Sequence, residues 1–556
     1  MTEEINFDLT KLEEEYNESK KEASTLFDED GYLKTFKDIR KQFINILEQK
    51  KEIAYQKAYD LYMNNPKVLL KLAEAEKDEE NGELIRKTVI EDAKKEGEKA
   101  KKNATPKTPL ECAEFLKKYI RFIRIRPEGQ GQRAPLHFYA PDLGIYLEDD
   151  EFLHDLMVTI HPNNTERLGN DALYKIAHSV PLKDKQDSFV VVGQKLYNNE
   201  TGEFTHFDPR IVVTRKVRTG YNPNATEPII DGWKPTQWLL GLFDNDRESY
   251  DLAIQIIRAT ITGKTLENIF WLYGEGGTGK GTFQTLLENL VGSENVASFK
   301  IDGASGKFDT SILIGKTVVI GDDIQKDVVI KDTSVVFSLA TGDPIRIEDK
   351  GKRPYTTRKR MTVVQSSNGF PRMNADQKAI NRRFRVLTFS ELKGKADKRI
   401  KNDYVGRKEV LEYFVKLAIE TPFRDVEPKK SIEFLDEAYK EMNPVADFVD
   451  RFFNDDVIKC NYVPNGYVFE SFKGYCKQHQ NKNYFLNEMS LHKQIKKILP
   501  KTFKPKQVTI PKEQKFYEEF NPHLVNNPWH FDGYNNGRDK KEDQAKAQKE
   551  RGYGKI

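Results

Sequence analysis

Apolar residues in the first hundred positions recur at helical spacing. Phe36, Ile39, Phe43, Ile44 and Leu47 mark one stripe, and Glu, Lys and Ala fill the gaps between them. Such a pattern turns one apolar face inward and leaves the rest to salt-bridging charges. Residues 1–107 are therefore expected to form a charged helical region, either a solvated hairpin or an oligomer contact. It fades into a linker along EDAKKEGEKAKKNATPKTP, which ends at Pro109. Asp28-Glu29-Asp30 looks superficially like a metal-binding pair, but Gly31 comes next at a break in the pattern, so a turn is expected.

From Thr108 the texture changes. Short runs of aromatic and β-branched residues (HFYA, GIYL, SFVVVGQKLY, IVVTRKV) alternate with Asn, Gly and Pro, which predicts a mixed α/β domain with hairpins over 108–233. Residues 198–202 (NNETG) read as a hairpin turn leading into a strand at 203–207. A helical pattern returns at 237–261, within a core expected over 234–395 and built on a central parallel sheet. Residues 396–445 are charged and helical, as a lid or linker. Residues 446–520 alternate helical patches with a basic end. The tail at 521–556, polar and rich in Gly and Lys, is expected to lack fixed structure. The fold class is multidomain α/β, and a chain of 556 residues is too long for one core.

Composition narrows the setting. Hydrophobic residues make up 38% and charged residues 32%, and no apolar run is long enough to cross a bilayer, so a soluble, cytoplasmic protein without membrane partners is expected. The acidic N-terminus does not read as a secretory signal. Cys112, Cys460 and Cys476 form no CxxC pair, so neither a disulfide framework nor a zinc site is readable. The net charge of +3 argues neither for nor against nucleic acid, because binding depends on where the charge sits.

The candidate chemistry starts at the apolar run NIFWLY (268–273). It meets Gly274-Glu275-Gly276-Gly277-Thr278-Gly279-Lys280, and then the helical stretch FQTLLENLVG. Strand, glycine loop, lysine and helix are the setting of a P-loop. The glycines let backbone N–H groups turn toward phosphates, and the helix adds its positive end. Lys280 would place its ammonium on the β- and γ-phosphates. The next residue should be Ser or Thr, to bind Mg²⁺ through its hydroxyl. Here it is Gly281, and Thr282 is the candidate substitute, about 100° further round the helix.

KTVVIGDDI (316–324) then supplies a strand that ends on Asp322 and Asp323, 42 positions beyond Lys280. One carboxylate can hold the Mg²⁺ shell while the next orients the attacking water. IRIEDKGKRPYTTRKR (345–360) reads as a hairpin whose seven Lys and Arg oppose only Glu348 and Asp349. Lys350, Lys352, Arg353 and Lys359 are its candidate DNA contacts. MTVVQSSN (361–368) is a strand ending on Asn368, placed to bond a γ-phosphate or the lytic water. AINRRFRVLTF (379–389) is expected to carry Arg382, Arg383 and Arg385 on a strand, where an arginine can reach a neighbouring subunit's γ-phosphate.

This motif order resembles the superfamily III helicases of the AAA+ class, within them the phage, plasmid and poxvirus primase-helicase type. The resemblance covers roughly 110–515. It implies ATP and Mg²⁺ as cofactors, Lys280 as phosphate lysine, and Asp322 and Asp323 as the carboxylate pair, with metal ligation by Asp322 and Thr282. It further implies Asn368 as sensor, Arg383 ahead of Arg382 as finger, and a winged-helix DNA-binding module at 446–520. Eleven Lys against four Glu between Ser471 and Phe520 suit a DNA backbone. The implied activity is a hexameric replicative helicase of a phage or mobile element, moving 3′ to 5′ on single-stranded or forked DNA in a bacterial host cytoplasm. Gly281 departs from the pattern, and no primase domain is recognisable. Two alternatives stand beside it: an origin-duplex-binding initiator without processive unwinding, and a non-enzymatic DNA-binding scaffold.

Overall fold

The computed structural model describes residues 26–556, apart from 79, 128–133, 265, 301–309, 325–328, 331–333, 348–354, 359, 374–376, 392–396, 454–461, 479–485 and 511–547. Three helices come first: α1 (Ile39–Met63), α2 (Pro66–Ala75) and α3 (Gly82–Asn103). The residues that α1 buries, Ile39, Phe43, Ile46 and Leu47, all lie in its first nine positions. The remainder pairs with α3 as a hairpin, closely enough that a Cβ on Gly97 would meet the Tyr55 ring at 2.7 Å. Asp28 closes the expected turn, its Oδ1 accepting from the N–H groups of Asp30 and Tyr32.

The charged helical region is joined by packing to the α/β unit after it. Phe43 of α1 packs edge-on against Phe115 of α4 (Pro109–Tyr119), with ring centroids 5.4 Å apart. That core continues through β1 (Phe122–Ile125), β2 (Leu136–Ala140), β3 (Ile145–Leu147), α5 (Asp150–Ile160) and α6 (Glu166–Ser179). With β4 (Leu182–Lys183) the strands lie in the order β3-β2-β1-β4, antiparallel except for the β1–β4 pair. A second sheet, ordered β7-β6-β5-β8, holds β5 (Phe189–Val192), β6 (Lys195–Asn198), β7 (Phe204–Thr205) and β8 (Lys216–Val217). Gly202 N–H bonds Asn198 O at 2.8 Å in the expected turn, while the strand after it is shorter than 203–207. Val190, Val192, Tyr197 and Val217 share one core with Phe270 and Phe283. The second sheet and the elements after residue 233 thus share apolar packing.

The central part comes next. Its elements are α7 (Pro235–Gly241), α8 (Arg247–Thr262), β9 (Ile269–Tyr273), α9 (Lys280–Val291), β10 (Val296–Ser298) and β11 (Val318–Ile324). After them come β12 (Val329–Ile330), α10 (Ser334–Thr341), β13 (Pro344–Ile347), β14 (Tyr355–Arg358) and β15 (Thr362–Ser367). The part ends with β16 (Arg372–Met373), α11 (Gln377–Arg383) and β17 (Phe384–Thr388). Five strands form one sheet, ordered β10-β11-β15-β9-β17, and every neighbouring pair is parallel. Parallel strands covered on both faces read as unbroken apolar runs, and Ile269, Phe270, Trp271 and Leu272 are all buried to within 1%.

Beyond it lie α12 (Lys398–Asn402), α13 (Lys408–Glu420) and α14 (Lys429–Met442). The C-terminal unit runs α15 (Pro444–Phe452), β18 (Tyr462–Pro464), α16 (Asn465–Gln478), α17 (Glu488–Ile498), β19 (Phe503–Ile510) and β20 (Gln548–Lys555). Its antiparallel sheet has the order β18-β20-β19. Here the expectation of a tail without structure fails for its last residues. β20 is the central strand of that sheet, and Tyr553 is fully buried against Phe453 and His492. Composition misleads because a strand needs only some of its side chains inside. Among the described residues, no helix is long and apolar enough to cross a membrane.

Candidate phosphate-binding site

β9 ends on the loop from Gly274 to Gly279, and Lys280 opens α9. Gly277 and Gly279 hold φ angles of 81° and 98°, a region that costs an L side chain about 1–2 kcal/mol. Thr278 folds inward, its hydroxyl donating to Glu275 O at 2.9 Å, which leaves Glu275, Gly276 and Gly277 as the exposed crest. Lys280 is only 9% exposed. Its Nζ donates to Gly274 O at 2.6 Å, Glu275 O at 2.9 Å and Asn368 Oδ1 at 3.1 Å. Burial lowers its pKa, and the carboxylates of Asp322, Glu275 and Asp323 work in the opposite direction. Thr282 lies half-buried in the first turn of α9, its N–H bonded to Gly279 O at 3.0 Å.

The two carboxylates come from β11, the second strand away from β9. In a regular strand Asp322 and Asp323 would point to opposite faces. Instead the register with β15 shifts between Gly321 and Ile324, so that both stand opposite Ser366 alone. Asp323 has a φ of 54°, unusual for a residue with a Cβ. The bulge re-aims the chain where the carboxylates emerge. Ser366 fixes it from both sides: its Oγ donates to Asp322 Oδ1 at 2.6 Å and accepts from the Asp323 N–H at 3.4 Å. Gln284 of α9 ties the helix to the same place through Gly321 O at 3.2 Å. Asn368 lies directly after β15, which pairs with β9, so its contact with Lys280 is a result of strand register.

Lys280, Asp322, Asp323 and Asn368 thus gather at the C-terminal ends of adjacent strands. The arginines do not join them. Arg382 and Arg383 end helix α11, a correction to the strand expected there. β17 begins only at Phe384, whose partner is Ile269 at the far end of β9. Both arginines therefore lie about 16 Å from the glycine loop of their own chain, five strand residues at roughly 3.3 Å each. Arg385 is buried and pairs with Asp425 at 2.9 Å and Glu427 at 3.3 Å, which makes it structural. The expected basic hairpin has its stem in β13 and β14, antiparallel from Pro344↔Arg358 to Ile347↔Tyr355. Lys350, Lys352, Arg353 and Lys359 lie outside the described residues.

Among the described residues no group of three His, Cys, Asp or Glu side chains gathers as a metal cage. What the site offers is hard oxygen, from Asp322 and Thr282. That fits Mg²⁺, which takes few protein ligands and fills its octahedron with phosphate and water. Ser366 and Gln284 carry no signal along the chain; only the pairing of strands reveals them.

Three family models match the chain in turn: "D5 N terminal like" over 71–239, "Family of unknown function (DUF5906)" over 272–383, and "Poxvirus D5 protein-like" over 440–549. The two D5-type models match on either side of the glycine loop. The loop, the carboxylates, Asn368, Arg382 and Arg383 fall within or at the edge of the middle match, whose family has no stated function. Among solved structures, the A form apo structure of the NrS-1 C-terminal region aligns at 14% identity with a TM-score of 0.43, over 72% of this chain and 97% of that one. Another apo structure of that region gives 15% identity and a TM-score of 0.38, over 71% of this chain and 86% of that one. Values this low bear on neither activity nor partner. No curated protein matches the chain.

Proposed function

We propose that this chain is an ATP-driven DNA helicase of the D5 type, acting in phage or mobile-element replication as a hexameric ring. The observation that carries the reading is the convergence of Lys280, Asn368 and the Ser366-held Asp322 at one end of an all-parallel sheet. The strand order β10-β11-β15-β9-β17, with the glycine loop after the fourth strand in that row, supports a P-loop core of the AAA+ kind. Lys280 binds the β- and γ-phosphates, exchanging the loop carbonyls for phosphate oxygens. Asp323 orients a water for attack on the γ-phosphorus, and Asn368 holds the γ-phosphate in line. Asp322 and Thr282 would hold Mg²⁺, which when bound would neutralise phosphate charge. Arg383, too far from its own loop, serves the site of the next protomer, which is why a ring is required.

The order α15-β18-α16-α17-β19-β20 supports a winged helix at the C-terminus. α17 exposes Lys493, Lys496 and Lys497, suited to the phosphates of duplex DNA. That surface also favours a second reading, an origin-binding initiator that melts DNA without processive unwinding. Hydrolysis of ATP with Mg²⁺ and single-stranded DNA, abolished by Lys280→Ala and Asp322→Asn, is the expected result. No hydrolysis by the unaltered chain would overturn the proposal. Unwinding of a long tailed duplex by the purified protein separates the helicase from the initiator.

A further inference from the structure

Gly281 takes the place where a phosphate loop ordinarily has Ser or Thr, and the fold brings another group to that position. A Cβ built on Gly281 would lie 3.3 Å from Nζ of Lys401, the fourth residue of α12. α12 is firmly seated. Asp397 caps it, accepting from Arg399 N–H at 2.9 Å, and Arg399 reaches Asp231 at 3.0 Å. Just beyond, Tyr404 donates to the same Asp231 at 2.9 Å, and Asn289 of α9 donates to Val405 O at 3.2 Å. Among the described residues no carboxylate pairs with Lys401.

The exposed Lys401 ammonium stands beside the start of α9, an end of a helix that favours anions. The N-terminus of α9 carries roughly half a positive charge, and the buried Lys280 adds a whole one. A phosphate bound there would meet the helix end, Lys280 and the Lys401 ammonium together. A Cβ at 281 would come within 3.3 Å of the Lys401 ammonium, and the glycine leaves that approach open.

Building on the nucleotide reading above, we infer that Lys401 is a second phosphate-binding lysine of the same site, entering through the opening Gly281 leaves. Its Nζ approaches from the side on which a residue at 281 would carry its Cβ. The helix that comes after the sheet thereby adds a direct cation–phosphate contact beside the hydroxyl of Thr282. Gly281 and Lys401 act as one unit.

The test is equilibrium titration of the full chain with N-methylanthraniloyl-ATP, with Mg²⁺ and with EDTA. Lys401→Ala is expected to weaken binding about tenfold or more, the effect of one hydrogen bond to a charged group. Lys401→Arg should recover much of it. Gly281→Val, which displaces the ammonium, should weaken binding similarly, and the double variant should be no worse than either single one. Melting temperatures should stay level, because Lys401 is exposed. Lys280→Ala is the reference. If it binds normally, the phosphate site itself is misassigned and the inference falls with it. If Lys280→Ala loses binding while Lys401→Ala binds like the unaltered chain, or if the Gly281 and Lys401 substitutions add fully, the role of Lys401 is refuted and the site stands.

Discussion

Replacing Asn368 with Asp puts a carboxylate oxygen where the amide oxygen now accepts from Lys280, 3.1 Å from its Nζ. The side chain keeps its size, so only charge changes. A unit pair at that distance attracts by about 1.3 kcal/mol in bulk water and about 5 kcal/mol at an effective dielectric of 20. Asn368 is exposed while Lys280 is buried, which places the attraction nearer the lower figure. An incoming triphosphate must compete for Lys280 against that pair and is itself repelled by the new carboxylate. ATP affinity is expected to fall at least about tenfold, since 1.4 kcal/mol is a factor of ten. The free protein should melt at the same temperature or slightly higher, because a buried lysine has gained a counter-ion. Titration with a fluorescent ATP analogue and a thermal melt measure the two effects separately. Unchanged affinity would show that Asn368 does not face the phosphates and would remove it from the site. Lower affinity with an equally large loss of melting temperature would mean a damaged fold and refute the electrostatic reasoning.

Ser366→Ala removes the hydroxyl that donates to Asp322 and accepts from Asp323 N–H. The expected cost is about tenfold in kcat with KM for ATP little changed, from the lower end of charged hydrogen-bond strengths; an unchanged kcat would mean that the bulge holds itself. Arg383→Ala and Lys280→Ala subunits should each be inactive alone and regain part of the ATPase when mixed, because a mixed interface can pair an intact arginine with an intact loop. No recovery on mixing would count against a finger acting between subunits. In the C-terminal unit, burial lowers His492 from its ordinary 6.5 to about 4, while Asn465 O accepts from Nε2, so Nδ1 accepts from the Tyr553 hydroxyl. The unfolded chain binds the proton more readily between those values, so stability is complete above pH 6.5 and falls as pH drops toward 4. His492→Gln should flatten that slope in melts taken across the range; an equally steep slope would place the acid sensitivity elsewhere.

What was legible along the chain was local. The glycine loop announces itself because its apolar strand, its turn residues and its helix are contiguous, and Asn368 could be picked out because it ends an apolar run. What depends on the pairing of distant segments could not be read. Ser366 is an ordinary serine until β15 lies beside β11. Arg382, Arg383 and Arg385 look equivalent in sequence, yet the helix ends between the second and third, and Asp425 and Glu427 take the third out of contention. The polar run of β20 becomes a central strand only because β18 and β19 flank it. The apolar packing of the second sheet against the elements after residue 233 is likewise something no periodicity records. Lys401 escaped because its significance lies in the side chain that Gly281 lacks.

Helix α1 has one further consequence. Its first nine residues are set in the core of the N-terminal α/β unit, while the rest runs on unbroken as one limb of the hairpin with α3. At 1.5 Å per residue its 25 residues make a shaft about 37 Å long. A shaft clamped at one end is a lever. A tilt of roughly 10° at the buried end sweeps the far end through about 6 Å, and a push on the far end returns to the core as torque.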